Sequence, residues 1–85
     1  MENGGFGSAQ TLLSELKAGE RGLVLRLELP PRRAAELRRL GLIPGTELLC
    51  LRRSPLGEPT AYRWRGIDVA LRRRDAERIK VIRNK

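Results

Sequence analysis

The residues that could do covalent chemistry are few in this 85-residue chain. Ser8, Ser14 and Ser54 offer hydroxyl groups, and Cys50 is the single thiol. The sequence contains no histidine, the side chain that most often activates a serine or cysteine nucleophile. We therefore expect no catalytic residue and no enzymatic activity.

The residues that could hold a metal are equally poor in partners. Zinc and other borderline metals are normally bound by cysteine and histidine together, and only Cys50 is available. A hard cation needs several carboxylates that converge on it. Acidic residues such as Glu28, Glu36, Glu47, Glu58 and Asp68 are instead scattered singly among arginines. We predict no metal site and no cofactor, and we interpret Cys50 as a small buried apolar residue.

Arginine is the abundant chemical group, since it supplies fifteen of the eighteen basic residues and the formal net charge is +8. Such a field favours nucleic acid, acidic lipid headgroups or acidic protein surfaces as partners, although a solvated arginine-rich face has the same composition. An arginine offered to a nucleotide-binding partner can also stabilise the charge of phosphoryl transfer. The first candidates flank ordered turns: Arg38, Arg39, Arg52 and Arg53.

Length and apolar patterning indicate one small domain with a thin core. The longest apolar run has four residues, 48–51, whereas a bilayer-spanning helix needs about 20. No basic and then apolar leader opens the chain, and one cysteine does not suit a small secreted domain. We expect a cytoplasmic protein without direct membrane insertion.

The first half of the chain predicts a strand followed by a helix. Residues 1–10 carry three glycines and few groups that pack, so we predict a disordered lead-in before one domain over residues 11–85. Leucines alternate with other residues from Leu23 to Leu29, which is the repeat of a half-buried strand. Pro30 and Pro31 end that strand and begin a helix that runs to about Leu40, where Gly41 stops it.

The second half predicts four more short strands. Leu48 and Cys50 alternate with their neighbours until about Arg53, and a loop with two prolines follows. Tyr62 and Trp64 share the inward side of the next strand, which turns back through a tight hairpin at residues 65–66. A short strand with Ile79 and Val81 inward closes the chain. Five strands and one helix predict a mainly β fold that curls into a small five-stranded barrel, because curling removes most of the exposed edge.

The order of these elements resembles the FeoA family, small cytosolic proteins of bacterial ferrous iron uptake. Four segments carry the resemblance, in the family's order and over roughly residues 11–82: LSELKAGERG (13–22), LGLIPGT (40–46), LRRSPLGEP (51–59), and RG (65–66) followed by VALRR (69–73) and AE (76–77). Each segment alone is weakly specific, whereas the four together in this order are strongly specific.

The resemblance implies an SH3-like barrel and a partner, the FeoB-type ferrous iron permease of the membrane. That permease carries its own cytosolic guanine-nucleotide-binding domain. The family has no shared catalytic residues to transfer to this chain, and weak self-association is a further expectation. The aromatic residues that line the peptide groove of eukaryotic SH3 domains are missing here, so we do not expect proline-rich peptides as ligands.

We predict a partner-binding surface framed by two rigid turns, residues 42–45 and 55–59. Leu42 and Leu56 are candidate apolar anchors, although plugging the ends of the barrel is an equally good interpretation of both. Leu49 is apolar at a strand position where the family more often has a polar residue. The predicted contact residues are Arg38, Arg39, Leu42, Pro44, Gly45, Leu49, Arg52, Arg53, Pro55, Leu56, Gly57 and Pro59.

Nucleic-acid binding is the alternative function, because small basic barrels often bind RNA or DNA. Sheet-face binders normally stack bases on several exposed aromatic side chains. This chain has only Phe6, Tyr62 and Trp64, and the last two lie on the predicted core side. We therefore rank nucleic acid below a protein partner. Similar barrels also end metal-dependent repressors, but nothing before residue 11 predicts a DNA-binding helix pair.

Overall fold

The computed structural model of this chain describes residues 6–56 and 58–84. Its six strands are all paired antiparallel and form one sheet in the order β1-β6-β2-β3-β4-β5. The elements are β1 (Phe6–Leu12), a 3₁₀ turn (Leu13–Glu15), β2 (Arg21–Leu27), α1 (Pro31–Arg39), β3 (Glu47–Arg53), β4 (Thr60–Trp64), β5 (Ile67–Leu71), the one-turn helix α2 (Arg73–Ala76) and β6 (Ile79–Asn84). The predicted mainly β fold with one short helix is confirmed, with one strand more than predicted.

The additional strand is β1, and it corrects the prediction for the start of the chain. We predicted a disordered lead-in over residues 1–10, but residues 6–10 belong to β1, which pairs with β6 through partners such as Thr11 and Val81. The segment has no alternating apolar pattern. A strand far along the sequence supplies its backbone partners instead. Residues 1–5 and Lys85 lie outside the described residues.

An irregularity in the pairing of β2 with β6 helps to decide which side chains of β2 face the core. At the start of β2 the buried side chain is Val24, while Leu23 and Leu25 are half-buried. The register with β6 shifts between Val24 and Arg26, so one residue is left without an opposite partner. Such a bulge changes which residues face inward along the strand, which explains how Val24 and then Leu27, three positions later, both pack against the core.

The core lies on the concave side of the sheet and includes residues of both helices. Its largest side chains are Trp64 and Tyr62, each 1% exposed, as their predicted inward side requires. The Tyr62 hydroxyl donates a hydrogen bond to the Leu13 carbonyl at 3.3 Å, and burial raises the pKa of Tyr62 to about 12. The other members are Leu13, Leu16, Val24, Leu29, Ala34, Leu37, Leu42, Leu48, Cys50, Leu71, Ala76, Ile79 and Val81.

Helix α1 confirms the predicted helix and its glycine stop. Gly41 has φ +94°, a left-handed conformation that favours glycine. Its N–H bonds the Arg38 carbonyl at 2.9 Å, and the Leu42 N–H bonds the Leu37 carbonyl at 3.0 Å. These two bonds form a Schellman motif, which turns the chain sharply and places the residue after the glycine against the last helical turn.

The hairpin between β4 and β5 also forms where it was predicted. Arg65 and Gly66 have φ values of 51° and 80°, and positive values at both positions are typical of the tight type I′ turn. Across the six strands, β1 and β5 are the outer ones of the described sheet. No helix within the described residues is long and apolar enough to span a membrane.

Candidate functional site

The predicted contact residues do not form one surface. The turn at residues 42–45 precedes β3, and the loop at residues 55–59 follows it. A seven-residue strand covers roughly 20 Å at about 3.3 Å per residue. The structure therefore places the two turns at opposite ends of the barrel. Each turn, together with the residues around it, forms one end surface of the barrel. The helix-exit face consists of Arg38, Arg39, Leu40, Ile43, Pro44, Gly45, Arg65 and Ile67. The loop face consists of Arg52, Pro55, Leu56, Glu58, Pro59, Arg72 and Arg73.

The helix-exit face is an apolar surface with arginines around it. Leu40, Ile43 and Ile67 expose 45%, 37% and 37% of their surface. The Trp64 indole N–H bonds the Leu40 carbonyl at 2.9 Å, and Ile67 lies opposite Trp64 in the hairpin. These links bring the end of α1 to the tip of the β4–β5 hairpin, so three apolar side chains lie at one end of the sheet.

The two leucines at this end take opposite positions. Leu42 was predicted either as an exposed anchor or as a plug of the barrel end, and its full burial, with 0% exposure, agrees with the second interpretation. The Schellman motif explains this, because Leu42 and Leu37 are the two positions that pack together in it. Leu40 follows the last residue of α1, Arg39, and exposes 45% of its surface.

The turn that carries Ile43, Pro44 and Gly45 is braced from inside. The buried Thr46 hydroxyl donates to the Gly41 carbonyl at 3.0 Å and accepts from the Ile43 N–H at 3.1 Å. The Gly45 N–H bonds the Val24 carbonyl of β2 at 2.8 Å. Because these bonds join the turn to the sheet, the apolar surface is held in one shape.

Among the described residues of the loop face, Leu56 is the large apolar side chain that protrudes into solvent. Leu56 is 90% exposed, and its N–H bonds the Ser54 hydroxyl at 3.3 Å. The Glu58 carboxylate accepts a bond from the Arg73 N–H at 3.0 Å and lies 3.6 Å from the Arg72 guanidinium. The Glu58–Pro59 peptide bond is cis. Gly57, which we also predicted to contact a partner, lies outside the described residues.

The remaining predicted residues lie on or near β3. Leu49 is half-buried on the outer side of the sheet, with Arg21 and Arg63 opposite it on the neighbouring strands. Arg53 is exposed, and its guanidinium donates to the Leu16 carbonyl at 3.3 Å. Arg52 is exposed at the end of the strand. Arg53 therefore has a bracing role in the fold, whereas Arg52 belongs to the loop face.

A groove rich in arginine adjoins the loop face, and sequence reasoning missed it. It has a volume of about 580 Å³ and lies between the start of α1, the end of β5 and α2. Arg72 lines this groove and also the depression beside Leu56. We call it the arginine groove, and its lining residues are Pro30, Arg33, Ala70, Arg72, Arg74, Asp75 and Arg78. The run RRRDAER at 72–78 was its one signal in the sequence.

The groove holds more positive charge than its own acids balance. The Arg33 guanidinium bonds Asp75 at 2.9 Å and Glu36 at 2.8 Å, and these bonds, Glu36 first, raise the pKa of Arg33. Within the part of the chain that the structure describes, no carboxylate pairs with Arg74 or Arg78. Arg33 is thus oriented by the protein, while two guanidinium groups remain available to an anion.

Within the described residues, the one cysteine is not placed as a nucleophile or a metal ligand. Cys50 is completely buried, its thiol lies 3.7 Å from the Leu16 carbonyl, and burial raises the pKa of that thiol. A buried thiol of raised pKa is a poor nucleophile. Residues 6–56 and 58–84 contain no group of three or more histidine, cysteine, aspartate or glutamate side chains that could hold a metal ion.

Comparison with known proteins identifies relatives of the whole barrel. A model of the FeoA domain matches residues 11–83. The chain is similar to the FeoA protein from Chlorobium tepidum, with 40% identity, a TM-score of 0.82 and coverage of 85% of this chain and 69% of that chain. It is also similar to FeoA from Stenotrophomonas maltophilia, with 31% identity, a TM-score of 0.72 and coverage of 84% and 88%. That structure contains zinc, and that protein is described as a procaryotic SH3 domain protein and as a suggested activating factor of bacterial ferrous iron transport.

A more distant likeness concerns the fold alone. A manganese-dependent transcriptional repressor shares 20% identity with this chain at a TM-score of 0.79, and the match covers 91% of this chain and 38% of the repressor. No curated protein matches the chain. The SH3-like fold is therefore shared with a repressor, but the matched family model and the similar FeoA structures agree on one family. This chain belongs to the FeoA family of ferrous iron transport accessory proteins.

Proposed function

We propose that this chain is a cytoplasmic, non-enzymatic module that binds the cytosolic region of a FeoB-type ferrous iron permease and modulates iron uptake. The observation that carries the proposal is the helix-exit face. Three partly exposed apolar side chains lie together there, on a backbone that the core holds in place. Protein interfaces are typically built in this way, with an apolar centre and a rim in which arginine is enriched.

The helix-exit face suits a protein partner better than the loop face does. Its apolar side chains come from a helix end, a braced turn and a hairpin tip, and its rim carries Arg38, Arg39 and Arg65. The predicted contact residues at this end, with Pro44 and Gly45, remain our candidates for permease contact. Leu42 acts beneath them as support, because it is buried.

The side chains support a non-enzymatic role. The chain has no histidine, and its one thiol is buried. An arginine of the helix-exit face could still act on the partner's bound nucleotide by stabilising phosphoryl-transfer charge. Arg38→Ala and Arg39→Ala test this role directly. The measurement is the rate of GTP hydrolysis by the permease domain with each variant added. The same rate with both variants as with the wild type would exclude this role for Arg38 and Arg39.

The binding proposal is tested by a pull-down against the permease's cytosolic domain, loaded with either GDP or a GTP analogue. The informative variant is Ile67→Asp, which places a charge in the apolar surface without removing a buried group. The matched control is Leu56→Asp, the same type of change at the other end of the barrel. Trp64 fluorescence checks that each variant is folded, since Trp64 is the only tryptophan.

We expect the wild type and Leu56→Asp to be retained in at least one nucleotide state, and Ile67→Asp to be lost. An interfacial charge in place of an apolar anchor commonly costs 2 kcal/mol or more, roughly a 30-fold loss of affinity. No retention of the folded wild type in either state would refute the partnership. Retention of Ile67→Asp with loss of Leu56→Asp would move the partner to the loop face.

A further inference from the structure

We propose that the loop face and the arginine groove dock on an anionic phospholipid surface, with Leu56 entering the headgroup layer and the groove arginines binding lipid phosphates. This inference uses the end of the barrel opposite the helix-exit face. It does not depend on the permease partnership, since it needs only this chain and a bilayer.

The charge of the groove points to an anion as its ligand. Four arginines, Arg33, Arg72, Arg74 and Arg78, line it. Arg33 is paired with Asp75 and Glu36, and Arg72 is paired with Glu58. Asp75 already bonds Arg33, and no ion pair within the described residues engages Arg74 or Arg78. Guanidinium groups present a fork of donors that matches phosphate oxygens, and they lose hydration more readily than an ammonium group.

The position of Leu56 points to a bilayer as the source of that phosphate. Leu56 is 90% exposed, and the depression beside it is lined by Arg72 and Arg73. An apolar tip with basic neighbours matches the layers of a membrane interface, where apolar groups reach the acyl boundary and cations remain among the phosphates. A soluble anion would use the groove, but it would leave Leu56 in water.

The loop is also built to keep this apolar tip outward. Glu58 joins the loop to α2 through the Arg73 N–H at 3.0 Å and the Arg72 guanidinium. The Ser54 N–H bonds the Pro59 carbonyl at 3.3 Å and closes the base of the loop. Because one residue, Arg72, borders both the loop depression and the groove, the apolar tip and the cations form one continuous face.

The test is co-sedimentation of the full chain with vesicles of phosphatidylglycerol and phosphatidylcholine, compared with vesicles of phosphatidylcholine alone. The charge variant is Arg74→Gln/Arg78→Gln, which removes two groove cations. Its matched control is Arg26→Gln/Arg63→Gln, which lowers the net charge equally but acts on exposed strand residues of β2 and β4. Leu56→Ser tests the apolar tip separately.

We expect the wild type to sediment with anionic vesicles only, and less so as salt is added. The groove variant should bind about tenfold more weakly or worse, since each basic residue near an anionic surface contributes to the attraction. Leu56→Ser should bind roughly tenfold more weakly, since it loses most of a leucine's transfer from water. The control pair should change binding far less than the groove variant.

Several outcomes would overturn the proposal. Equal losses in the control pair and the groove variant would show that net charge alone causes the binding. Displacement from vesicles by millimolar inorganic phosphate but not by sodium chloride of the same ionic strength, together with wild-type vesicle binding by Leu56→Ser, would assign the groove to a free anion. Binding to polyglutamate or to a single-stranded oligonucleotide, without vesicle binding by the folded protein, would assign the face to another class of macromolecule.

Discussion

The two ends of the barrel are joined by the same strands, yet they are held in shape by different forces. At the helix-exit face, buried groups support the surface: Leu42 packs in the core, Trp64 bonds the Leu40 carbonyl, and Thr46 braces the turn. At the loop face, exposed groups do so: Glu58 binds Arg72 and the Arg73 N–H, and the Ser54 N–H bonds the Pro59 carbonyl. Substitutions of the buried groups at the helix-exit face should therefore destabilise the fold, whereas substitutions of exposed residues at the loop face should cost little stability.

The largest difference should come from one leucine at each end. Leu42→Ala should lower the free energy of unfolding by about 2 to 5 kcal/mol, because a buried leucine leaves a cavity. Leu56→Ala should change it by less than about 0.5 kcal/mol, because the side chain is exposed. Urea unfolding followed by Trp64 fluorescence measures both. Similar values for the two variants would contradict the contrast between the ends.

The buried Tyr62 hydroxyl, in the core between the two ends, should make the protein less stable in strong base. Tyr62 has a pKa of about 12 in the fold and about 10 when unfolded. The folded state therefore holds the proton between these values, so stability is complete below pH 10 and falls as pH rises toward 12. The loss should reach about 2 to 3 kcal/mol, since each pKa unit corresponds to about 1.4 kcal/mol.

This loss is measured as the free energy of unfolding at several pH values, with Tyr62→Phe as the control. The variant should lack most of the extra slope above pH 10, although the lysines still titrate there. Tyr62 is the only tyrosine, so the absorbance of tyrosinate reports its ionisation directly. A titration midpoint near 10 in the folded protein would contradict the buried hydroxyl.

Alanine substitutions at two glycines near the helix-exit face should distinguish the cost of backbone strain from the cost of a steric contact. Gly41 and Gly45 have φ values of +94° and +93°, but only at Gly41 would an added Cβ meet a neighbour, the Arg65 Cδ at 2.8 Å. Gly45→Ala should cost about 1 kcal/mol, from strain alone, and Gly41→Ala about 2 kcal/mol. Thermal unfolding compares them. Adding Arg65→Ala should reduce the stability loss of Gly41→Ala to that of Gly45→Ala. If the loss is not reduced, the contact with Arg65 is not its cause.

The smallest effect should come from the ion pair of the loop face. Glu58→Gln removes the attraction to Arg72, whose side chain is 66% exposed, and surface pairs of this kind contribute about 0 to 1 kcal/mol. The loss should shrink as salt is added. Unfolding measured at low and high salt tests this. A loss above 2 kcal/mol at high salt would show that the loop is held by more than exposed charge.

The sequence predicted those elements whose signals are local. Alternating residues indicated β3 and β4, Pro31 and Gly41 bounded the helix, and Arg65 with Gly66 indicated the hairpin. Strand β1 was missed because its pairing with β6 depends on a distant partner, and its own sequence has no alternating apolar pattern. The sequence left two interpretations of Leu42 open, and the Schellman motif decides for burial because it returns the chain beneath the helix.

The candidate surfaces were harder to predict than the fold, because each combines residues that are distant in sequence. The single predicted surface separated into two ends once β3 was placed between the turns. The arginine groove joins Arg33 to Asp75 across 42 positions of sequence. Single residues such as Leu56 could be named from the turn chemistry around them, but which arginines would adjoin them depended on the curl of the sheet.

The most direct test of a two-ended module measures its affinity for the whole permease in vesicles of anionic or neutral lipid. The wild type, Ile67→Asp, Arg74→Gln/Arg78→Gln and their combination form a double-mutant cycle. We predict that neutral lipid weakens the wild type and not the groove variant, that Ile67→Asp weakens binding in both lipids, and that the losses add within about 0.5 kcal/mol. Equal lipid dependence of the wild type and the groove variant, or losses that do not add, would contradict two independent docking surfaces.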